Sequence, residues 1–487
     1  MATFNLVATI VGGGVLSVPY AFAKMGGVVW GMLWMLLAAV CTDQSCLMLC
    51  WSARPHSIIE EEEEEGTQGG PPTTTMQILS SYGQVGKAAF GPILEGAISA
   101  WLFVFLVFVL IAYMVLVKDI WTPIALTLLG ITGEIQVDQN NTYIDSDNED
   151  GNQQSTNQQQ QQQIIYYKYG PFVLLGIIAL MFPFFIQKNL YALRYNCYIG
   201  FCSVSMLCLA LCHHAIFPPT PMRQDPTDAA SSKPWDILTS YDFWLAPPPS
   251  KSYYRDVLPA IPIFLLSFLC HFNVNPIQKA LIHPTPQRVR YVIHGAMVAC
   301  AILMILFGVG GYAYVLVNNN NNNNPNTKTQ DQVQGNILLN CSLYRGGGID
   351  WFLYMGRIGC GITIMLAMAI MILPCRDSLL EVVDIAILNM KEGRRSARTT
   401  ATRMNGTTTT ETSPLVVASS RDTEEEDELL LEVPRTISEK NTIIHYTTTI
   451  LIVAICYVSA VKVPGVQVVW SLCGSTMAFL IAFILPA

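Results

Sequence analysis

The feature that most constrains this chain is a recurring series of apolar stretches, each close to the roughly 20 residues that a helix needs to cross a bilayer. Charged residues make up 13% of the 487 residues. Soluble domains usually contain roughly 25% charged residues. The pattern therefore predicts an all-α, polytopic membrane protein whose main surroundings are lipid.

Ten spans are predicted, and the charges of their loops predict an orientation. The spans cover residues 3–23, 27–52, 93–118, 170–188, 192–217, 257–281, 290–317, 351–375, 443–461 and 466–486. Basic residues concentrate in the even-numbered loops, including nine Lys or Arg between 376 and 440, which favours a cytoplasmic N-terminus. The sequons at Asn140 and Asn340 then lie outside, as candidate N-glycosylation sites.

The first span has an unfavourable helix sequence. Three adjacent glycines, Gly12–Gly14, stand inside the apolar run TIVGGGVLSVPYAF, and Pro19 follows them. Each glycine lowers helix stability by about 1 kcal/mol relative to alanine, so the pattern predicts an interrupted helix. A secretory signal peptide cleaved after residues 21–23 is the alternative, but no basic residue precedes Lys24.

The sixth span, IPIFLLSFLCHFNVNPIQKAL, contains a second interruption. His271, Asn273, Asn275 and Pro276 fall together in its middle. Polar side chains at that depth normally face a cavity or another helix. Proline also removes a backbone donor and crowds the carbonyl four residues earlier. The sixth span is therefore also predicted to be broken.

Two interrupted helices, five spans apart, predict an inverted repeat of five plus five helices: residues 1–217 and 257–487, with an external loop at 218–256. Unwound backbone at membrane depth is tolerated where it lines a cavity. Free N–H groups at a half-helix N-terminus favour a carboxylate, and free carbonyls at a C-terminus favour an ammonium group. A zwitterionic α-amino acid fits both, and the candidate substrate-binding residues are Gly12, Gly13, Gly14, Ser267, Cys270, His271 and Asn273.

Several loops have biased compositions, and three tracts within them are predicted to be disordered: the Gln-rich tract at 153–163, the Asn run at 318–324 and the linker at 391–440. The first half carries an acidic cytoplasmic loop at 53–80 and a Gln-rich external loop at 131–165. The second half carries an Asn-rich external loop at 318–350 and a disordered cytoplasmic linker at 391–440. Segment 376–440 is a candidate docking site for a cytoplasmic partner.

The sequence resembles the amino acid/auxin permease family, and within it the sodium-coupled neutral amino acid transporters and their vacuolar relatives. The resemblance is carried by NLVATIVGGGVLSVPYAF, SYGQVGKAAFGP, FLCHFNVNPIQKAL and RIGCGITIMLAMAIMILPCRDSLLE. It implies a leucine-transporter-type fold and secondary active transport of neutral L-amino acids, coupled to H⁺ or Na⁺. Vacuolar, lysosomal and plasma membranes are not distinguished. Family members normally have a tail before the first span and an eleventh span, so an inactive truncated fragment is one alternative and an amino-acid-sensing receptor is another.

Sodium coupling is the point at which the chain departs from its sodium-coupled relatives. The family's asparagine in span one falls on Ala8, beside Thr9, and the hydroxyl expected in span eight falls near Ala367. Thr363 is the hydroxyl residue that span eight retains. A sodium ion needs several oxygen ligands, so proton coupling becomes at least as favoured.

Two titratable residues could carry a proton. Asp43 is an intramembrane carboxylate in the inner part of span two, and such residues are functional candidates by default. His271 belongs to the residue type that titrates near neutral pH. A solvated or paired aspartate and a neutral histidine bonded to unwound backbone are the alternatives. The candidate ion-coupling residues are Thr9, Asp43, His271 and Thr363.

No motif of an enzyme, a nucleic-acid-binding protein or a cofactor site occurs in the sequence. The 14 cysteines lie mostly inside the spans, where thiols behave as small hydrophobes, so no metal site is predicted. The net charge of −8 comes largely from acidic runs outside the spans, at 60–65 and 423–428. Arg357, near the start of span eight, is expected to snorkel outward or to pair with a loop acid.

Overall fold

The computed structural model describes residues 2–52, 91–129, 151–186, 196–217, 234–245, 257–271, 285–320, 333–341, 348–405 and 442–478, together with residues 274, 277, 278, 281, 344 and 345. These residues form helices and one short β-hairpin. The helices are α1 (Ala2–Ile10), α2 (Val18–Met25), α3 (Val28–Ser52), α4 (Pro92–Leu128), α5 (Gly151–Ile186), α6 (Asn196–Ile216), α7 (Pro234–Leu238), α8 (Tyr241–Trp244), α9 (Ala260–Ser267), α10 (Pro286–Asn320), α11 (Ile337–Asn340), α12 (Trp351–Asn405), α13 (Thr442–Lys462) and α14 (Val466–Leu472). A 3-10 segment covers Gly13–Ser17, a π-helical segment covers Cys473–Ala478, and the hairpin pairs Tyr344–Arg345 with Gly348–Ile349.

Seven helices within the described residues are long and apolar enough to cross a membrane. They fall on the second, third, fourth, fifth, seventh, eighth and ninth predicted spans, which confirms a polytopic membrane protein. The candidate spans are Val28–Ser52, Leu94–Leu128, Lys168–Ile186, Tyr198–Ile216, Pro286–Asn318, Trp351–Ile387 and Ile443–Lys462. The first and sixth predicted spans contain interruptions, and the tenth is described only as far as residue 478.

The apolar faces of these helices divide between a packed core and the surroundings. On α3, Leu33, Leu37 and Val40 are exposed, whereas Met35 and Ala38 are buried. A helix that is apolar all round belongs in lipid or in a large core, because water would disfavour its outer face. The exposed apolar face therefore fits a hydrocarbon environment.

Small residues allow the closest helix contacts. A Cβ on Gly311 of α10 would lie 2.5 Å from the Pro19 ring of α2, and one on Gly308 would lie 2.7 Å from the Phe22 ring. Glycines at helix interfaces let the backbones approach without a side chain between them. Gly26 ends α2 in the left-handed conformation, at φ 92°, and the chain then turns back into α3. We call the end of the bundle that holds this turn the outer end, following the predicted orientation.

Three biased segments contain more helix than the sequence predicts. Helix α5 begins at Gly151, so residues 151–165 of the Gln-rich loop are helical. Helix α12 continues to Asn405, so residues 391–405 of the predicted disordered linker are helical as well. The Asn-rich loop at 318–350 contributes the end of α10, helix α11 and the hairpin. Both long helices extend a strongly apolar span, and helix propagation from a formed helix needs no new nucleus.

Candidate functional site

The first helix is interrupted at the glycine triplet. Helix α1 ends at Ile10, and Gly12 is extended, with φ −108° and ψ −154°. The Gly12 N–H donates to the Ile10 carbonyl at 2.8 Å, and the Val15 N–H donates to the Gly12 carbonyl at 3.3 Å. The helix resumes at Val18, with Pro19 in its first turn, where a proline loses no helical hydrogen bond.

The second interruption follows α9. This helix ends at Ser267, and the Leu269 N–H donates to the Leu266 carbonyl at 3.0 Å in the turn that follows. Ser267 is buried, and its hydroxyl donates to the Ile263 carbonyl at 2.7 Å. The candidate residue Asn273 lies outside the described residues.

The two interruptions lie against each other. A Cβ added to Gly14 would lie 3.4 Å from both Cα and Oγ of Ser267. Helix α9 also packs against α2 and the 3-10 segment. Of the predicted substrate-binding residues, the structure thus brings Gly14 and Ser267 together, although 253 positions separate them in the sequence.

Gly13 faces a different element. A Cβ on Gly13 would lie 2.5 Å from Cδ1 of Leu116 and 3.1 Å from the Tyr113 ring, both on α4. The Tyr113 ring meets the Trp470 ring of α14 edge to face, with centroids 6.1 Å apart. These aromatic neighbours were not predicted, because an aromatic residue inside an apolar run carries no distinguishing sequence pattern.

Cys270 and His271 contact α3. The sulfurs of Cys270 and Cys46 are 3.7 Å apart, and His271 Nε2 lies 3.1 Å from Ser45 Oγ. All four residues are buried. The segment that follows α9 is therefore joined to the inner half of α3 by two polar contacts.

Two of the predicted ion-coupling residues, Asp43 and Thr363, contact different helices. Asp43 contacts His294 of α10, with Oδ1 2.7 Å from Nδ1. Thr363 packs its methyl group against Gly200 of α6 and donates its hydroxyl to the Gly359 carbonyl at 2.8 Å. The Thr9 side chain lies outside the described residues. His294 was overlooked in the sequence, although the rule that selects Asp43, a titratable residue inside a span, applies to it equally.

Arg357 does not snorkel outward. It is buried, and its guanidinium donates to the Leu338 carbonyl at 2.8 Å and to the Cys341 carbonyl at 3.4 Å. These carbonyls belong to α11 and the residue that follows it. Helix α11 packs against α4 and the 3-10 segment, so Arg357 holds α11 against the outer side of the first interruption. The candidate glycosylation residue Asn340 ends α11, and Asn140 lies outside the described residues.

Comparison with known proteins identifies the family. The chain matches the family described as transmembrane amino acid transporter protein over residues 1–487. The chain belongs to this family. The resemblance inferred from the sequence motifs is therefore confirmed, and the family is one of transporters rather than enzymes.

Two curated relatives from Saccharomyces cerevisiae (strain ATCC 204508 / S288c) are similar to this family member. Vacuolar amino acid transporter 6 is 24% identical over 319 residues, covering 64% of this chain and 62% of that protein. Vacuolar amino acid transporter 5 is 22% identical over 369 residues, covering 74% of this chain and 67% of that protein. The chain thus spans less than two thirds of the first relative's length and about two thirds of the second's.

Oxidative cross-linking tests the contact between the second interruption and α3. We expect copper phenanthroline with oxygen to convert the Cys46 and Cys270 thiols to a disulfide, with two electrons passing to oxygen and two protons released. The cross-link should abolish uptake, and dithiothreitol should restore it. Cys46→Ser should be insensitive, whereas Cys208→Ser, which removes a cysteine pair within α6, should remain sensitive. Equal inhibition of Cys46→Ser would contradict the contact.

Proposed function

We propose that the protein is a secondary active transporter that carries neutral L-amino acids by alternating access, in symport with H⁺ or Na⁺. The observation that carries this proposal is the contact between Gly14 and Ser267, which joins the two interrupted segments. Interrupted backbone is tolerated at membrane depth when it is buried in protein or lines a cavity. A substrate that binds both segments would therefore sit at membrane depth.

The chemistry of the two segments supports an α-amino acid as substrate. The 3-10 segment presents backbone N–H groups without side chains at its glycines, which suits a carboxylate. The end of α9 presents carbonyl oxygens, which suit an ammonium group. The side chains that Gly13 and Gly14 approach, Tyr113, Leu116 and Ser267, are uncharged, which supports a substrate with a neutral side chain.

We further propose ten spans in a leucine-transporter-type arrangement of two inverted five-helix repeats. The positions of the interruptions, in the first and sixth predicted spans, support this arrangement. The names of the yeast relatives favour a vacuolar-type membrane as the location. Ala8 stands where the family's asparagine falls, and Ala367 stands near the expected hydroxyl, so two side-chain oxygens that would bind Na⁺ are missing, which favours H⁺ as the coupling ion.

Uptake by proteoliposomes tests the proposed function. The purified full chain is reconstituted, and labelled amino acids are offered under an imposed pH gradient, an imposed Na⁺ gradient or neither. We expect accumulation of one or more neutral amino acids above equilibrium under one of the two gradients. Binding without net flux would instead favour an amino-acid-sensing receptor, and the absence of both binding and flux across a broad panel would contradict the proposal.

A further inference from the structure

The inner half of the bundle contains a carboxylate and an imidazole in direct contact on two different helices. Asp43 Oδ1 of α3 lies 2.7 Å from His294 Nδ1 of α10, and Gln44 Nε2 donates to Asp43 Oδ2 at 3.3 Å. The Asp43 side chain is 11% exposed and the His294 side chain is 41% exposed. One member of the pair is therefore enclosed, while the other has a route to the surroundings.

Both members of the pair lie inside predicted spans. Asp43 precedes the end of α3 at Ser52 by nine residues, and His294 follows the start of α10 at Pro286 by eight. At about 1.5 Å per residue, Asp43 stands roughly 14 Å from the inner end of the predicted second span, and His294 stands roughly 6 Å from the start of the predicted seventh span at residue 290. Titratable side chains inside a span are unfavourable and typically mark ion or proton pathways. We propose that Asp43 and His294 form the proton-binding site that couples proton movement to amino acid transport.

The two protonation states of the pair differ in net charge. With a proton from water on Nε2, the imidazolium donates Nδ1–H to the Asp43 carboxylate, and the pair is neutral overall. Without that proton, Nδ1–H still bonds the carboxylate, but the pair carries one negative charge. Unbalanced charge is disfavoured where water is scarce. The protonated pair therefore favours a closed contact between α3 and α10, and the deprotonated pair favours a state that opens to water.

Other titratable groups lie on α3, on α10 and on the elements that pack against them. Cys46 interacts electrostatically with Asp43 on the same helix, and Cys270 and His271 reach the same half of α3. Arg290 and Tyr291 lie one helical turn before His294 on α10, and both are exposed. The remaining candidates within the described parts of these elements are at other positions: Arg288, Cys300, Tyr312 and Tyr314 on α10, Cys41 and Cys50 on α3, Tyr20 and Lys24 on α2, Asp236 on α7, Tyr241 and Asp242 on α8, and Tyr198, Cys202, Cys208, Cys212, His213 and His214 on α6.

A short path connects the pair to the candidate substrate site. Ser45 and Cys46, two and three residues after Asp43, contact His271 and Cys270 of the second interruption. A shift of α3 relative to α10 therefore moves the segment that follows Ser267. This inference rests on the proposed transport function. It assigns H⁺ as the coupling ion and the Asp43–His294 contact as the site where the proton binds.

A purely structural ion pair is the competing explanation, and the chain supplies a matched control. His214 of α6 contacts Asp350, which lies just before α12, with Nε2 2.5 Å from Oδ2 and both side chains 13% exposed. This pair is at the outer end, where the His214 ring also packs edge to face against the Tyr314 ring of α10. It has the same two residue types, so it controls for the loss of any buried aspartate–histidine contact.

The experiment measures two activities of the reconstituted full chain, using whichever neutral amino acid the wild-type protein accumulates. One is accumulation driven by a pH gradient, and the other is exchange of labelled for unlabelled amino acid without a gradient. For Asp43→Asn and for His294→Gln, we expect accumulation to fall by about tenfold or more, in the range of typical coupling energies, with exchange kept within about twofold. His214→Gln should retain both activities.

Three results would overturn the site. The first is wild-type proton-driven accumulation in both Asp43→Asn and His294→Gln. If both variants lose exchange as well as accumulation, the pair has a structural role. Asp43→Glu keeps the charge and checks that the fold survives a substitution at this position. A wild-type protein driven by Na⁺ alone would overturn the proton site but leave the proposed function intact. A wild-type protein that shows no flux would instead defeat the proposed function.

Discussion

Replacing Gly13 with leucine is expected to lower amino acid uptake by about tenfold or more while the protein remains in the membrane. A Cβ at this position would lie 2.5 Å from Leu116 Cδ1 and 3.1 Å from the Tyr113 ring, so the added side chain collides with α4. Overpacking of this kind typically costs about 1–3 kcal/mol, and each 1.4 kcal/mol corresponds to roughly tenfold in an equilibrium constant. The measurement is initial uptake per unit of reconstituted protein.

A second substitution separates two explanations of the Gly13→Leu effect. If the leucine acts by displacing the 3-10 segment from α4, then Leu116→Ala in the same chain should restore a large part of the uptake. If it acts by blocking the approach of a substrate carboxylate, the double variant should stay inactive. Gly176→Leu is the control, because a Cβ on Gly176 has no neighbour within 4 Å. Normal uptake by Gly13→Leu alone would contradict a role for Gly13 in transport.

Replacing Arg357 with alanine is expected to release α11 from the outer side of the bundle. The guanidinium donates to the carbonyls of Leu338 and Cys341, and hydrogen bonds to charged groups contribute about 1.5–3 kcal/mol each. Without the guanidinium, the two carbonyls must find water. We therefore expect Cys341, which is buried in the native structure, to become accessible to a charged, membrane-impermeant maleimide.

The readout is the labelling rate of Cys341, identified by mass spectrometry of its peptide. We expect at least about a tenfold faster rate in Arg357→Ala, since the loss of one such hydrogen bond already shifts an opening equilibrium by that factor. Cys341→Ser in the Arg357→Ala chain identifies the labelled site. Arg357→Lys keeps a positive donor but loses the forked geometry, so it should give an intermediate rate. An unchanged rate in Arg357→Ala would show that other contacts hold α11.

The sequence predicted the features that depend on local composition. The repeated apolar stretches located the seven candidate spans, and the glycine triplet located the interruption after Ile10. Both follow from helix energetics within about 20 residues of chain. The position of Ser267 at the end of α9 also agrees with the predicted interruption of the sixth span.

Contacts between distant parts of the chain could not be predicted in the same way. Tyr113 lies 100 positions from Gly13, and His294 lies 251 positions from Asp43, so no local pattern links them. Arg357 illustrates the same limit, because its partners are backbone carbonyls, which every residue has. The helices that include residues 151–165 and 391–405 were not predicted from composition, because both tracts continue the helix of a neighbouring span.

Protection of Cys270 by a transported amino acid tests most directly whether the two interruptions form the substrate site. Cys270 is buried three residues after Ser267, so a small permeant maleimide reaches it only when the site opens. We expect a saturating concentration of transported amino acid to slow its labelling by about tenfold, while labelling of Cys456 on α13, which contacts Val107 of α4, stays unchanged. Equal labelling of Cys270 with and without a transported amino acid would contradict a substrate site formed by the two interruptions.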